Sequence, residues 1–265
     1  MIGSAVLALA VPGLLWQPVR PGVWEREMPM APRGPLAEVR VVALRFDPAQ
    51  VRFSLQDVTR DYGLRGAWNV DSMPGSATAA FNAGQFIGGS PWGWLVRDGV
   101  EAQAPGTGSL GMAFVVDAAG RSALVMPGEL AGVRPRAHVA FQSYPALLVD
   151  GKLPWELRAA GRGVNLTHRD SRLAIGIMAD GSVIVALTRF DGLGKAAETL
   201  PWGPTATEMA AFMKSLGCVR AMLLDGGISS QMAVRRADGT LGRWSNWRNV
   251  PLALIVSPRD THASR

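Results

Sequence analysis

The chain has 265 residues, of which 48% are hydrophobic and 18% charged, so it can bury one large core or two small ones and is not an intrinsically disordered polymer. Its net charge is +6, but the excess is scattered as single arginines with no basic helix, which excludes recognisable nucleic-acid binding and leaves solubility, or attraction of an anionic substrate or envelope polymer. A single cysteine, Cys218, excludes an intrachain disulfide, and one cysteine with three scattered histidines excludes a zinc-type ligand cluster.

The chain opens on MIGSAVLALAVPGLLW, residues 1–16, which is apolar almost throughout. A membrane span needs about 20 such residues. The segment fits a signal-peptide core or a weak anchor, although no basic flank precedes the core. Export to the periplasm or beyond is the expectation. Residues 17–35 are rich in Pro, Gly and Arg and read as a lead-in arm. The domain proper is expected over 36–258, with a short tail at 259–265.

VRVVALRFD (39–47) alternates and is β-rich, so it reads as a strand. Pro48 ends it, and VRFSLQDV (51–58) is expected as its partner. Residues 59–78 show no pattern. ATAAFNAG (77–84) reads as a short buried segment ending in a turn. Strand–turn–strand units follow at GWLVRDGVEAQ (93–103), GMAFVVDAAGRSALV (111–125) and YPALLVDGKLP (144–154). RLAIGIMADGSVIVALT (172–188) is the cleanest hairpin, with a two-residue Asp180-Gly181 turn expected between its strands. The units recur at irregular spacing and are not a solenoid repeat.

One helix is well signalled. Thr205 and Glu208 form a T-x-x-E capping box. Met209, Phe212, Met213 and Leu216 then fall on one face, and Gly217 stops the helix. VRAMLL (219–224) reads as a buried strand, Cys218 beside it as a small buried hydrophobe, and PLALIVS (251–257) as the last strand. The fold class is α+β: a sheet-dominated single domain with mixed or antiparallel strands and few helices.

Between two apolar runs the chain reads MLLDGGISSQMAV (222–234). The preceding strand delivers Asp225 to its carboxyl end, where ligand sites gather. Gly226 and Gly227 would admit a ligand close to the main chain and offer N–H groups to an anion. Ser229 and Ser230 add hydroxyls suited to sugar or phosphate oxygens. A tight turn with an Asx hydrogen bond explains the same residues without a ligand. No Gly-Lys-Ser/Thr follows, so the stretch is not a Walker A loop.

Four segments in order make the chain resemble the phosphodiester glycosidase family, in a divergent bacterial branch. They are FNAGQF (81–86), YPALLVDGK (144–152), RLAIGIMADG (172–181) and LLDGGISSQM (223–232), with a looser match at RNVPLALIV (248–256). Ala83, Gln85, Ile228 and Gln231 depart from the family pattern. The resemblance implies hydrolysis of a sugar-1-phosphodiester and a carbohydrate or glycosyl-phosphate partner; no cofactor is expected. A calcium or magnesium site built from Asp and carbonyl oxygens stays open.

Under that resemblance Asp225 is the catalytic carboxylate, as nucleophile or as stabiliser of the cationic sugar. Arg172 is a phosphate clamp, because its planar fork binds two oxygens at once. Asn82 binds sugar or phosphate through its amide, with Gly84 allowing close approach. Gly226, Gly227, Ser229 and Ser230 line the anion pocket. Most glycosidases need a second carboxylate; Asp170 and Glu208 are the candidates, Glu208 being better explained as a helix cap. His168 is an offset match for a family histidine and a candidate acid or base. The pairs Trp92/Trp94 and Trp244/Trp247 suit either a saccharide groove or ordinary packing; His138 and His262 look incidental. Two other readings stand beside this one. The first is a non-catalytic saccharide- or phosphate-binding module on the same scaffold. The second is a serine hydrolase using Ser229 or Ser230, which lack a G-x-S-x-G elbow.

Overall fold

The computed structural model describes residues 15–31, 33–58, 68–193 and 197–259. The apolar opening segment up to residue 14, and the end of the tail with His262, lie outside the described residues. Strands β1 (Gln17–Arg20), β2 (Val23–Pro29), β3 (Val39–Phe46) and β4 (Val51–Asp57) come first. They are followed by β5 (Ala79–Asn82), β6 (Phe86–Ile87), β7 (Ser90–Pro91), β8 (Leu95–Arg97), β9 (Val100–Gln103), β10 (Met112–Asp117) and β11 (Ser122–Val125). One helical turn, α1 (Leu130–Val133), leads to β12 (Ala137–Ser143), β13 (Ala146–Leu148), β14 (Leu173–Met178) and β15 (Val183–Phe190). Helix α2 (Ala206–Ser215) then feeds β16 (Cys218–Leu223), β17 (Met232–Arg235), β18 (Leu241–Trp244) and β19 (Leu252–Pro258).

Three large sheets and a two-stranded ribbon of β6 and β7 carry these strands, and the pairings among the described residues are antiparallel. A seven-stranded sheet has the order β1-β2-β3-β15-β14-β16-β13. Two five-stranded sheets have the orders β18-β17-β5-β19-β4 and β11-β10-β12-β8-β9. Of the two expected arrangements, mixed or antiparallel, the strands take the antiparallel one, and the lead-in arm is corrected to two paired strands, β1 and β2.

β4 is not the partner of β3. It pairs with β19 in the second sheet, while β3 lies between β2 and β15. The reason is the corner at Asp47, whose carbonyl accepts from Gln50 and Val51 and turns the chain from one sheet into the next. The inward faces then meet through aromatic rings. Phe46 of the large sheet sits edge-on to Phe53 at 5.9 Å and stacked on Phe81 at 6.3 Å; Phe53 reaches Phe114 at 5.4 Å, and Phe114 reaches Phe141 at 5.6 Å. All five are buried. Truncating one to alanine costs about 3–5 kcal/mol in such a setting, so the junction of the sheets is where the fold tolerates least.

The strand–Asp-Gly–strand units use two turn geometries. Asp98-Gly99 and Asp150-Gly151 both have positive φ at each residue, the two-residue turn that matches strand twist. At Asp180-Gly181 only the glycine has positive φ, and Met178 bonds to Ser182 around a loop one residue longer than expected. Helix α2 starts as its sequence requires: Thr205 accepts from the Glu208 N–H, and Glu208 returns the bond to the Thr205 N–H.

Candidate active site

Antiparallel pairing of β14 with β16 brings the start of one strand beside the end of the other. Ala174 lies opposite Leu223, and the Leu224 N–H donates to Leu173 at 2.8 Å. Residues 170–172 thus lie against residues 225–227, and the Gly227 N–H donates to the Ser171 carbonyl at 2.8 Å. From the second sheet, the end of β5 closes the arrangement: the Asp225 N–H donates to Gly84 at 3.0 Å. The bend 224–231 is the passage of the chain from the seven-stranded sheet into the second sheet.

A cleft of about 310 Å³ opens at this point, lined by Gln85, Tyr144, Asn165, His168, Asp170, Arg172, Asp225 and Gly226 among others. Two carboxylates therefore face one cavity. The Asp170 carboxylate packs over the Gly227 α-carbon: a Cβ there would stand 2.8 Å from Oδ2 and 3.2 Å from Oδ1, and φ is +57°. Gly226 is as constrained, because its Cβ would meet the Ser171 carbonyl at 2.7 Å. The Asp170 Oδ1 is buried with no hydrogen-bond partner among the described residues, while Oδ2 stands 3.4 Å from His168 Nε2. A buried acceptor without a protein donor is an exception to the rule that buried polar groups are paired, and such exceptions gather at functional sites.

Burial pushes the Asp225 carboxyl up to about 6, and the charge of Asp170 adds to the rise. A hydrogen bond from the Ser229 side chain and the charge of Arg248 oppose it. Arg172 differs from a free clamp. Its Nε donates to the Pro204 carbonyl at 3.0 Å and its Nη2 to the His168 carbonyl at 2.7 Å. Burial pulls its pKa below the usual arginine range, against the attraction of Asp170. Its fork ties the 168–172 segment to the start of α2.

Asn82 does not line the cleft. Its Nδ2 donates to the Asp225 carbonyl at 2.8 Å and its Oδ1 accepts from the Gln231 N–H at 2.9 Å, so the amide latches both ends of the bend from behind. Of the expected anion pocket, Gly226 alone reaches the cleft lining. The Gly227 N–H donates to the Ser171 carbonyl, which corrects the anion-nest reading for that glycine, and the Ser229 and Ser230 N–H groups likewise donate to backbone carbonyls. Ser229 and Ser230 are buried, and the Ser230 hydroxyl pairs with the Ser171 hydroxyl at 2.9 Å and the Gly227 carbonyl at 2.9 Å. Neither is presented as a nucleophile. Gly84 stands behind the cleft lining with its carbonyl on Asp225.

Glu208 is committed to the helix cap and to Arg169 at 2.8 Å. Trp94 and Trp244 are core residues, whereas Trp247 is 70% exposed. Cys218 is buried, and burial raises its thiol to about 12. Among the described residues no group of three or more His, Cys, Asp or Glu could hold a metal ion, and no helix is long and apolar enough to cross a membrane.

Three participants were not singled out in the sequence. Gln85 and Tyr144 line the cleft and join through the Gln85 Nε2 bond to the Tyr144 carbonyl at 3.2 Å. Their signal was their place inside the matched segments. Arg189, fully buried on β15, donates Nη2 to the carbonyls of Ser230, Trp244 and Ser245 at 3.0, 2.8 and 2.9 Å, and burial lowers its pKa to about 10. It secures the far end of the bend, and nothing in RF (189–190) distinguishes it from a surface arginine.

Two carboxylates across one cleft are the equipment of glycoside hydrolysis, here on an antiparallel, sheet-dominated scaffold. The family model of the phosphodiester glycosidases matches residues 75–257, more than half of the chain, and the chain belongs to that family. Its fold is similar to that of the zebrafish N-acetylglucosamine-1-phosphodiester alpha-N-acetylglucosaminidase catalytic domain, auto-inhibited by its pro-peptide. The TM-score is 0.63 at 16% identity, over 97% of this chain and 87% of that one. A protein from Synechocystis superposes with a TM-score of 0.58 at 16% identity, over 92% of this chain and 64% of that one. A Burkholderia pseudomallei protein described as exported gives 0.59 at 16% identity, over 83% and 74%. At these identities the likeness is one of fold. No curated protein matches the chain in sequence.

Proposed function

We propose that the chain is an exported hydrolase that cleaves a sugar-1-phosphodiester in an envelope or extracellular glycan. The observation that carries the reading is the meeting of Asp170 and Asp225 in one cleft, with Asp225 raised to about 6. The bond broken joins the anomeric carbon to the bridging phosphate oxygen. Water supplies the hydroxyl that ends on the sugar, and the departing phosphate oxygen takes a proton. A phosphomonoester has a second pKa of about 6, so an acid near 6 passes its proton to that oxygen at little cost. Asp225 is assigned this transfer, and Asp170 the stabilisation of positive charge at the sugar ring. Arg172 and Asn82 act through the backbone, holding the two carboxylate-bearing segments in place.

The test is a panel of sugar-1-phosphodiesters assayed with the wild type, Asp225→Asn and Asp170→Asn. Each substitution is expected to lower kcat by about 100-fold or more while circular dichroism stays unchanged. Because Asp225 must carry the proton, kcat of the wild type is expected to fall as pH rises above about 6. Absence of turnover on every diester would sink the enzymatic reading and leave a saccharide- or phosphate-binding module.

A further inference from the structure

The cleft as described has a charge problem. A phosphodiester is an anion, and the cavity presents two carboxylates, while the arginine expected to receive it has its Nε and Nη2 committed to backbone carbonyls. We propose that Arg248, whose backbone is bonded to the bend that carries Asp225, is the cation that holds the phosphodiester group. This rests on the phosphodiesterase reading above and names the residue that would select that substrate class.

Arg248 is fixed where it stands by its own backbone. Its N–H donates to the Ile228 carbonyl at 3.0 Å, and its carbonyl accepts from Gln231 Nε2 at 3.0 Å. Both partners belong to the bend that carries Asp225. The side chain is exposed, and its guanidinium carbon lies 5.3 Å from the centre of the Phe86 ring. Phe86 directly follows Gln85, which lines the cleft. An aromatic face supports a planar cation from one side and leaves its N–H edge free for a pair of oxygens.

The contrast with other arginines is the second strand of the argument. Arg169 is paired with Glu208, Arg220 with Glu129 and Asp150, and Arg236 with Glu25. Among the described residues the Arg248 guanidinium takes neither a carboxylate nor a carbonyl. Its charge is nonetheless felt at Asp225, where it draws the carboxyl down against burial, so the two groups lie within electrostatic reach of one another. An anion bound between them would be held by Arg248 on its phosphate side and would present its sugar to the carboxylates.

Calorimetric titration of the full chain with inorganic phosphate and with dimethyl phosphate tests this without turnover. Arg248→Gln is expected to weaken both by about tenfold or more, the scale of a lost charge-assisted pair, and Arg248→Lys to recover part of the loss. Arg121→Gln removes the same charge far from the cleft, where Arg121 pairs with Asp117, and is expected to bind as the wild type does. Wild-type affinity in Arg248→Gln, an equal loss in Arg121→Gln, or no anion binding by the wild type would each overturn the proposal. Arg248-dependent anion binding in a protein that cleaves no diester would uphold it and defeat the enzymatic reading alone.

Discussion

Replacing Asp225 by Asn should stabilise the protein, and by an amount that grows with pH. The folded state raises this carboxyl from an ordinary 3.8 to about 6, chiefly by burial. A folded state that binds the proton more tightly than the unfolded chain loses stability as pH rises from the unfolded pKa through the folded one. At 1.36 kcal/mol per pH unit the cost above pH 7 is about 3 kcal/mol, an upper figure because the side chain is only part-buried. Asn has the same shape, keeps an acceptor for the Ser229 hydroxyl and carries no charge to desolvate. The melting temperature of Asp225→Asn minus that of the wild type should be smallest near pH 4, rise to about pH 7 and then level off. In a chain of this size 1 kcal/mol corresponds to about 2–4 °C, so the rise should be at most roughly 6–12 °C. Scanning calorimetry at intervals from pH 4 to pH 8 reads it directly. Any fixed cost of the substitution shifts the whole curve and leaves its slope alone. A flat difference, or one that falls with pH, would refute the claim that burial strains this carboxylate.

Two further substitutions probe how the bend is held. Gly227→Ala places a methyl 2.8 Å from the Asp170 carboxylate at a φ of +57°; the expected cost is about 1–3 kcal/mol in urea denaturation, with a fall in diester turnover larger than the stability loss implies, because Asp170 must move. Asn82→Ala removes the bonds to the Asp225 carbonyl and the Gln231 N–H together; the denaturation midpoint should drop by the equivalent of about 2–4 kcal/mol, since two backbone groups lose their partner.

What the sequence made legible was local. β3, the β14–β15 hairpin apart from its longer turn, helix α2 with its cap, and β16 leading to Asp225 all follow from patterns within about twenty residues, and the structure places each where the pattern does. Strand partnership was not legible. β4 follows β3 in the chain but pairs with β19, because a proline-containing corner moves it to another sheet. β1 and β2 look like a loop by composition and become strands because the edge of β3 offers β2 a ladder and β2 in turn offers one to β1. The same limit applies inside the site. Arg172, Arg189 and Arg248 are alike in sequence, and what separates them is which carbonyls from remote loops come within reach of their N–H groups. FNAG (81–84) suggests an Asn82 that faces a ligand; the amide turns inward instead, a choice set by β17 and the bend.

The composition of DGGISSQ (225–231) has a physical cause in the crossing it makes. A chain that leaves one buried sheet for another must satisfy its backbone polar groups away from water. The Ser230 hydroxyl bonds the Gly227 carbonyl, and Asn246, Asn82 and Arg189 supply donors or an acceptor to Gly227, Asp225, Gln231 and Ser230. The two glycines are small because Ser171 and Asp170 press against them. That pressure is also what brings the second carboxylate to Asp225. On this reading the glycines do not cradle the anion themselves. They let two strands approach until their terminal carboxylates share a cleft, and the charge that offsets the pair comes from Arg248, tied to the bend through Ile228 and Gln231.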